Sequence, residues 1–160
     1  MRKTRRFALS ILVFALLLSL IGSGRASAAG GGGAGEVVGY YASWAAAQGH
    51  TPDKLPAEQF TQINYAFAKL EDGRAVLGDP VRDGKTLREL TGLRKRNPDL
   101  KIVLSLGGWD DSAGFSDAAA SAEGRRMFAR SCVDLLLAHG LDGVDLDWAY
   151  PVSGGAPGVV

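Results

Sequence analysis

The chain of 160 residues has one cysteine, two histidines and two methionines. A lone Cys132 closes no intrachain disulfide, so a disulfide-stapled scaffold is excluded and stability must come from a packed core. No cysteine follows the N-terminal apolar run, which removes a lipid anchor of the bacterial lipoprotein kind. Neither His50 nor His139 is placed to complete a metal shell, so no metal and no cofactor is expected. No basic patch with interleaved aromatics occurs, which argues against nucleic acid as a partner. No apolar run reaches the roughly 20 residues that a spanning helix needs. The 22 glycines are about twice the usual share but keep no three-residue period, so collagen is out. No repeat of solenoid type is visible.

What is present reads as a folded domain behind an export leader. Hydrophobic residues make up 46% and charged residues 22%, ordinary fractions for a globular chain. Arg2, Lys3, Arg5 and Arg6 form a basic start. The 15 residues from Phe7 to Ile21 are almost unbroken apolar, and Ala26-Ser27-Ala28 is a small-x-small site. This is the pattern of a secretory signal peptide over 1–28, which predicts a secreted, extracellular protein with no membrane association after cleavage. Its removal leaves 13 basic against 17 acidic residues, so the net charge moves from +1 to −4. Residues 29–35 are a Gly-rich spacer, and the folded part is expected over 36–160.

Four strands alternate with helices or loops. Val37–Tyr41 and Gln62–Phe67 are rich in β-branched and aromatic residues. Lys101–Leu106 is nearly all apolar, which suits a strand buried on both faces of a parallel sheet. Gly143–Trp148 is the fourth. Glu71-Asp72-Gly73-Arg74 is a turn signal within a polar connection, and Ala45–Pro56 reads as a loop. Leu87, Leu90 and Leu93 predict a helix over Thr86–Arg96, with Arg94-Lys95-Arg96 as its solvated end. A second helix runs from Ala122 to His139, capped by Ser121 and closed by Gly140, with Phe128, Cys132, Leu135, Leu136 and His139 on one face. The fold class is therefore α/β with right-handed parallel βαβ units. Periodicity leaves an open doubly wound sheet and a (β/α) barrel both possible.

The chemistry sits on the fourth strand. Alternation turns Asp145, Asp147 and Ala149 to one face and Val144, Leu146 and Trp148 to the other. Two carboxylates side by side on an apolar strand are costly unless they share a proton or meet donors. The rival readings are exposed loop carboxylates or a metal site.

Asp142-Gly143-Val144-Asp145-Leu146-Asp147-Trp148-Ala149-Tyr150-Pro151 resembles the signature of glycoside hydrolase family 18 chitinases, D-G-x-D-x-D-W-E-Y-P. Ser105-Leu106-Gly107-Gly108-Trp109 is similar to that family's S-x-G-G motif. Val38-Gly39-Tyr40-Tyr41 and Ile63-Asn64-Tyr65-Ala66-Phe67 are similar to its first two strands. The resemblance spans residues 36–160 with the segments in order. It implies a (β/α)8 TIM barrel of which the first four βα units are present, with the active site at the C-terminal strand ends. It also implies substrate-assisted, retaining hydrolysis of β-1,4-linked N-acetylglucosamine polymers, in which the sugar's own acetamido oxygen is the nucleophile. Chitin or its oligosaccharides would then be the partner. On this resemblance Asp147 orients the acetamido group and Asp145 shares a proton with it. Tyr40 and Ser105 hydrogen-bond the carboxylate pair. Phe67 lies near the reacting sugar, Gly107 and Gly108 shape the strand end, Trp109 stacks a sugar ring and Tyr150 lines the groove. Trp44 and Trp148 read as packing residues, and His50, His139 and Cys132 as structural.

The sequence departs from the family pattern at one decisive place. The family's general acid is a Glu two residues after Asp147, and here that position is Ala149. A methyl group has no proton to give, so the chain is expected to hydrolyse little or nothing. A non-catalytic chitin-binding role and a non-functional remnant are the alternatives. Four βα units are half of a barrel that typically needs about 250 residues, so the chain is expected to be a fragment, and the incomplete barrel is a further reason to expect little or no hydrolysis. Its first and fourth strands would be unpaired edges, open to self-association.

Overall fold

The computed structural model describes residues 35–149 and residue 151. The leader, all of the spacer except Gly35, Tyr150 and the segment 152–160 lie outside the described residues.

Four parallel strands carry the fold: β1 (Val38–Ala42), β2 (Gln62–Glu71), β4 (Lys101–Gly107) and β5 (Gly143–Asp147). A short β3 (Arg74–Val76) turns back antiparallel on the end of β2. Strand order is β1-β2-β4-β5. Each new parallel strand is added on the same side of the last. A doubly wound sheet would reverse direction at a switch point. One-way winding is how a barrel wall is built, and it decides between the two architectures that periodicity left open.

The connections differ in character. β1 reaches β2 through three single 3-10 turns, where the sequence suggested only a loop. Helix α1 (Pro80–Gly92) links β3 to β4, while α2 (Gly114–Ala120) and α3 (Ala122–His139) link β4 to β5.

α1 begins at Pro80, not at Thr86, because its start is set by capping and not by apolar spacing. The Asp79 side chain accepts from the N–H groups of Val81 and Arg82 at 3.2 and 3.0 Å. Asp83 reaches back to accept from the Asp79 N–H at 2.8 Å, and Pro80 at the first helical position wastes no donor. α3 has the bounds and caps expected: Ser121 accepts from the Gly124 N–H at 2.9 Å and Gly140 closes the helix in the left-handed conformation. The turn signal at Glu71–Arg74 is the tip of the β2–β3 hairpin. α2 has no counterpart in the sequence reading. Gly114 and three consecutive alanines carry no amphipathic stripe, and burial of Phe115 and Ala118 holds the helix in place.

The core lies on the outer side of the sheet. Ile63 and Tyr65 of β2 and Ile102, Leu104 and Leu106 of β4 pack with Leu87, Leu90 and Leu93 in one buried cluster. Full burial of Leu87 or Leu90 contributes about 1.5–3 kcal/mol each. Trp148 stacks on Phe115 at 5.5 Å between ring centroids, a packing residue as expected. Trp44 is not one, since it is 53% exposed beside β1. Arg94 is also not merely solvated. It donates to the carbonyls of Leu100 and Gly140 and pairs with Asp142 at 2.6 Å, and Asp142 accepts the Ile102 N–H. This network ties the starts of β4 and β5 together.

Candidate active site

The opposite face of the sheet is polar at one level. Register places Tyr40 beside Asn64, and Ser105 beside Asp145. Three donors from three strands converge on one oxygen. Asp145 Oδ2 accepts from Ser105 Oγ at 2.6 Å, from Tyr40 Oη at 2.7 Å and from Asn64 Nδ2 at 3.1 Å. Gln62 Nε2 donates to Asn64 Oδ1 at 2.7 Å and so fixes which end of the Asn64 amide faces Asp145.

The Tyr40 contact reports the shape of the sheet. β1 and β5 are three strand spacings apart, about 14 Å if the sheet were flat. A tyrosine side chain does not span that distance. The sheet must therefore curl so that its polar face is concave, as in a barrel wall. Tyr40 is 60% exposed, so it is chiefly the hydrogen bond to Asp145 that raises its phenol above the ordinary pKa and keeps it a donor through neutral pH.

Asp147, two residues on, shares the Asp145 face and is exposed. Its backbone is what the neighbours hold. The Asp147 carbonyl accepts from the Gly108 N–H at 2.9 Å. The Ser112 hydroxyl lies 3.0 Å from the same carbonyl and 2.7 Å from the Gly108 carbonyl, and it accepts the Ala149 N–H at 3.0 Å. The ends of β4 and β5 are thus locked together around one serine, with the backbone at position 149 pinned and a methyl group as its side chain.

The two glycines make this seam possible. Gly107 has φ +98, and a Cβ there would lie 2.5 Å from the Asp147 carbonyl oxygen and 2.6 Å from the Phe115 ring. Gly108 has φ +80, and its Cβ would sit 3.1 Å from the Phe67 ring. Phe67 therefore packs directly on the glycine turn, at the point where β2–β4 pairing shifts register. Trp109 follows at the strand end with 78% of its surface exposed. Tyr150 lies outside the described residues.

Sequence reasoning missed Asn64, Gln62 and Ser112. Asn64 had a signal, a buried-type strand broken by an amide. Ser112 had none, because its partners are backbone groups 35 and 37 residues away. Among the described residues, no group of three or more His, Cys, Asp or Glu side chains is arranged to hold a metal ion. No helix among them is long and apolar enough to cross a membrane.

A singly wound parallel sheet with its polar cluster at the strand ends is the geometry of a (β/α)8 barrel wall, and comparison with known proteins agrees. The family model described as glycosyl hydrolases family 18 matches residues 36–156, and the chain belongs to that family. It is 36% identical to chitinase A1 of Niallia circulans over 98% of this chain and 29% of that protein. Among solved structures, the Ostrinia furnacalis Group IV chitinase in complex with allosamidin superposes with a TM-score of 0.72 at 31% identity, covering 78% of this chain and 36% of that one. A mutant of the Group II chitinase catalytic domain 2 from the same organism, in complex with penta-N-acetylchitooctaose, gives 0.66 at 38% identity over 72% of this chain and 32% of that one. The chain thus spans about a third of the length of these relatives.

Proposed function

We propose that this chain carries a chitinase-type saccharide site that binds β-1,4-linked N-acetylglucosamine chains but lacks the group needed to cut them. The observation that carries the reading is the contrast at the end of β5. Tyr40, Asn64 and Ser105 all donate to Asp145, which supports reading this face as the supporting shell of a family 18 site. The side chain at position 149, on the same face, has no acidic proton.

In this reading the acetamido oxygen of the bound sugar attacks its own anomeric carbon, and Asp147 orients and steadies the acetamido group as positive charge develops. The departing sugar oxygen must gain a proton as the glycosidic bond breaks. With Ala149 only water supplies it, and loss of a positioned general acid costs about 10²–10⁴ in rate. Binding depends on Trp109, Tyr150 and the concave sheet face, none of which needs the acid. The leader pattern in the sequence supports a location outside the cell, where such polymers are met. Self-association through the β1 and β5 edges belongs to the same proposal.

The test compares the chain with its Ala149→Glu variant on a fluorogenic N-acetylglucosamine oligomer, with binding of the unlabelled oligomer measured by calorimetry. Both proteins should bind it, and any hydrolysis should be confined to the variant. Hydrolysis by the unaltered chain at the variant's rate would overturn the role given to position 149. Failure of both to bind would overturn the saccharide site.

A further inference from the structure

Outside the strand-end site, one cluster of charged side chains shares a cleft. The β2–β3 hairpin lies against α3, and two contacts fix it there. The Ala75 N–H donates to Ser131 Oγ at 2.8 Å. A Cβ on Gly73 would come within 2.8 Å of the Met127 terminal methyl, so the hairpin tip rests on Met127. Arg74 precedes Ala75 and Arg130 precedes Ser131, so the first contact sets these two arginines at the same level. Arg126 stands one helical turn above Arg130 on the same face of α3.

The three arginines line a cleft of ≈ 460 Å³ together with Met127, Glu123 and Asp134. Among the described residues every ion pair lies elsewhere, and none includes these arginines or these two acids. Like charges one turn apart repel, and here two elements bring a third guanidinium to the same place without neutralising it. Glu123 stands one turn before Arg126 and Asp134 one turn after Arg130, and among the described residues neither forms an ion pair with the cluster.

The geometry points to an anion site between the β2–β3 hairpin and α3 that takes a phosphate group bearing two negative charges, such as a phosphate monoester. Guanidinium forks match tetrahedral oxyanions with paired N–H donors. The lining carries three guanidinium groups against two carboxylates, a net +1, and a positive site attracts a dianion more strongly than a monoanion of the same shape. With an acid one helical turn beyond each of Arg126 and Arg130, a compact anion is accepted and a long polyanion along the helix is repelled. This site is independent of the saccharide reading, since it uses no residue of the strand-end cluster.

The test titrates phenyl phosphate and, separately, phenyl sulfate into the full chain at low ionic strength, read by calorimetry. Phenyl phosphate should bind saturably with one site per chain, more tightly than the singly charged sulfate, and weaken as salt is added. The Arg126→Ala/Arg130→Ala double variant should lose at least about tenfold in affinity. Arg88→Ala, on an exposed face of α1, should change nothing. The inference is overturned if phosphate does not bind, if the sulfate binds as well, or if the double variant binds unchanged. It is also overturned if Arg88→Ala weakens binding equally, which would mean diffuse attraction to positive charge. A far-ultraviolet spectrum and melting curve matched to the parent chain establish that the double variant is folded.

Discussion

Replacing Gly107 by alanine tests whether the seam between β4 and β5 depends on close backbone approach. Two separable costs are expected. The backbone at φ +98 is one that a side-chain-bearing residue adopts at about 1–3 kcal/mol. The new methyl would also meet the Asp147 carbonyl at 2.5 Å and the Phe115 ring at 2.6 Å. Neither obstacle is the free end of a flexible side chain. Phe115 is stacked on Trp148, and the Asp147 carbonyl is held by the Gly108 N–H and Ser112. Over-packing of this kind costs about a further 1–3 kcal/mol. The total is roughly 2–6 kcal/mol, a large part of the 5–15 kcal/mol by which a domain is usually stable. Gly49→Ala is the internal control: φ there is +86 with nothing within 4 Å of the added carbon, so it carries the backbone cost alone. Urea unfolding of the three proteins at matched slopes reads the difference. If Gly107→Ala costs no more than Gly49→Ala, the seam is not set by close approach and the account of how β5 is positioned fails.

Three further outcomes follow from other parts of the molecule. Burial pushes the Cys132 thiol up to about 11, so at pH 8 Ellman's reagent should react about two orders of magnitude more slowly with the native chain than with the chain in guanidinium. A native rate equal to the denatured one would refute this burial. Arg94→Ala and Asp142→Asn should each destabilise by about 1–3 kcal/mol, and the double variant by clearly less than the sum, because the pair is linked at 2.6 Å and half-buried; strict additivity would count against the pairing. The raised Tyr40 phenol contributes stability that is complete below the ordinary tyrosine value and is lost as pH rises through the folded-state value. Difference absorbance of the parent against Tyr40→Phe should therefore place the Tyr40 transition above that of free tyrosine, and a transition at or below it would contradict the Asp145 hydrogen bond.

What could be read along the chain was whatever depends on near neighbours. Ser121 and Gly140 bound α3 because caps act over three or four residues. The alternation of Asp145 and Asp147 with Val144 and Leu146 is a property of one extended strand. Even the missed start of α1 was written locally, in Asp79-Pro80, and was obscured by the polar residues that follow. α2 was not written locally at all, since its alanines and glycine carry no stripe, and only contact with the rest of the core holds it.

The parallel strands, their order along the chain and the carboxylate pair facing one way were determined by the sequence itself, because each rests on periodicity or capping within a few residues. The tertiary structure alone decided that the sheet winds one way and curls. That curvature brings Tyr40 from β1 within 2.7 Å of Asp145 on β5, 105 residues away. It likewise decided that Asn64 completes the donor set, and that Ser112 pins the backbone of position 149. It moved Arg94 from a solvated helix end to a brace between two strands. These contacts join groups far apart in the chain, and their existence depends on the path of the backbone between them, which no local pattern encodes.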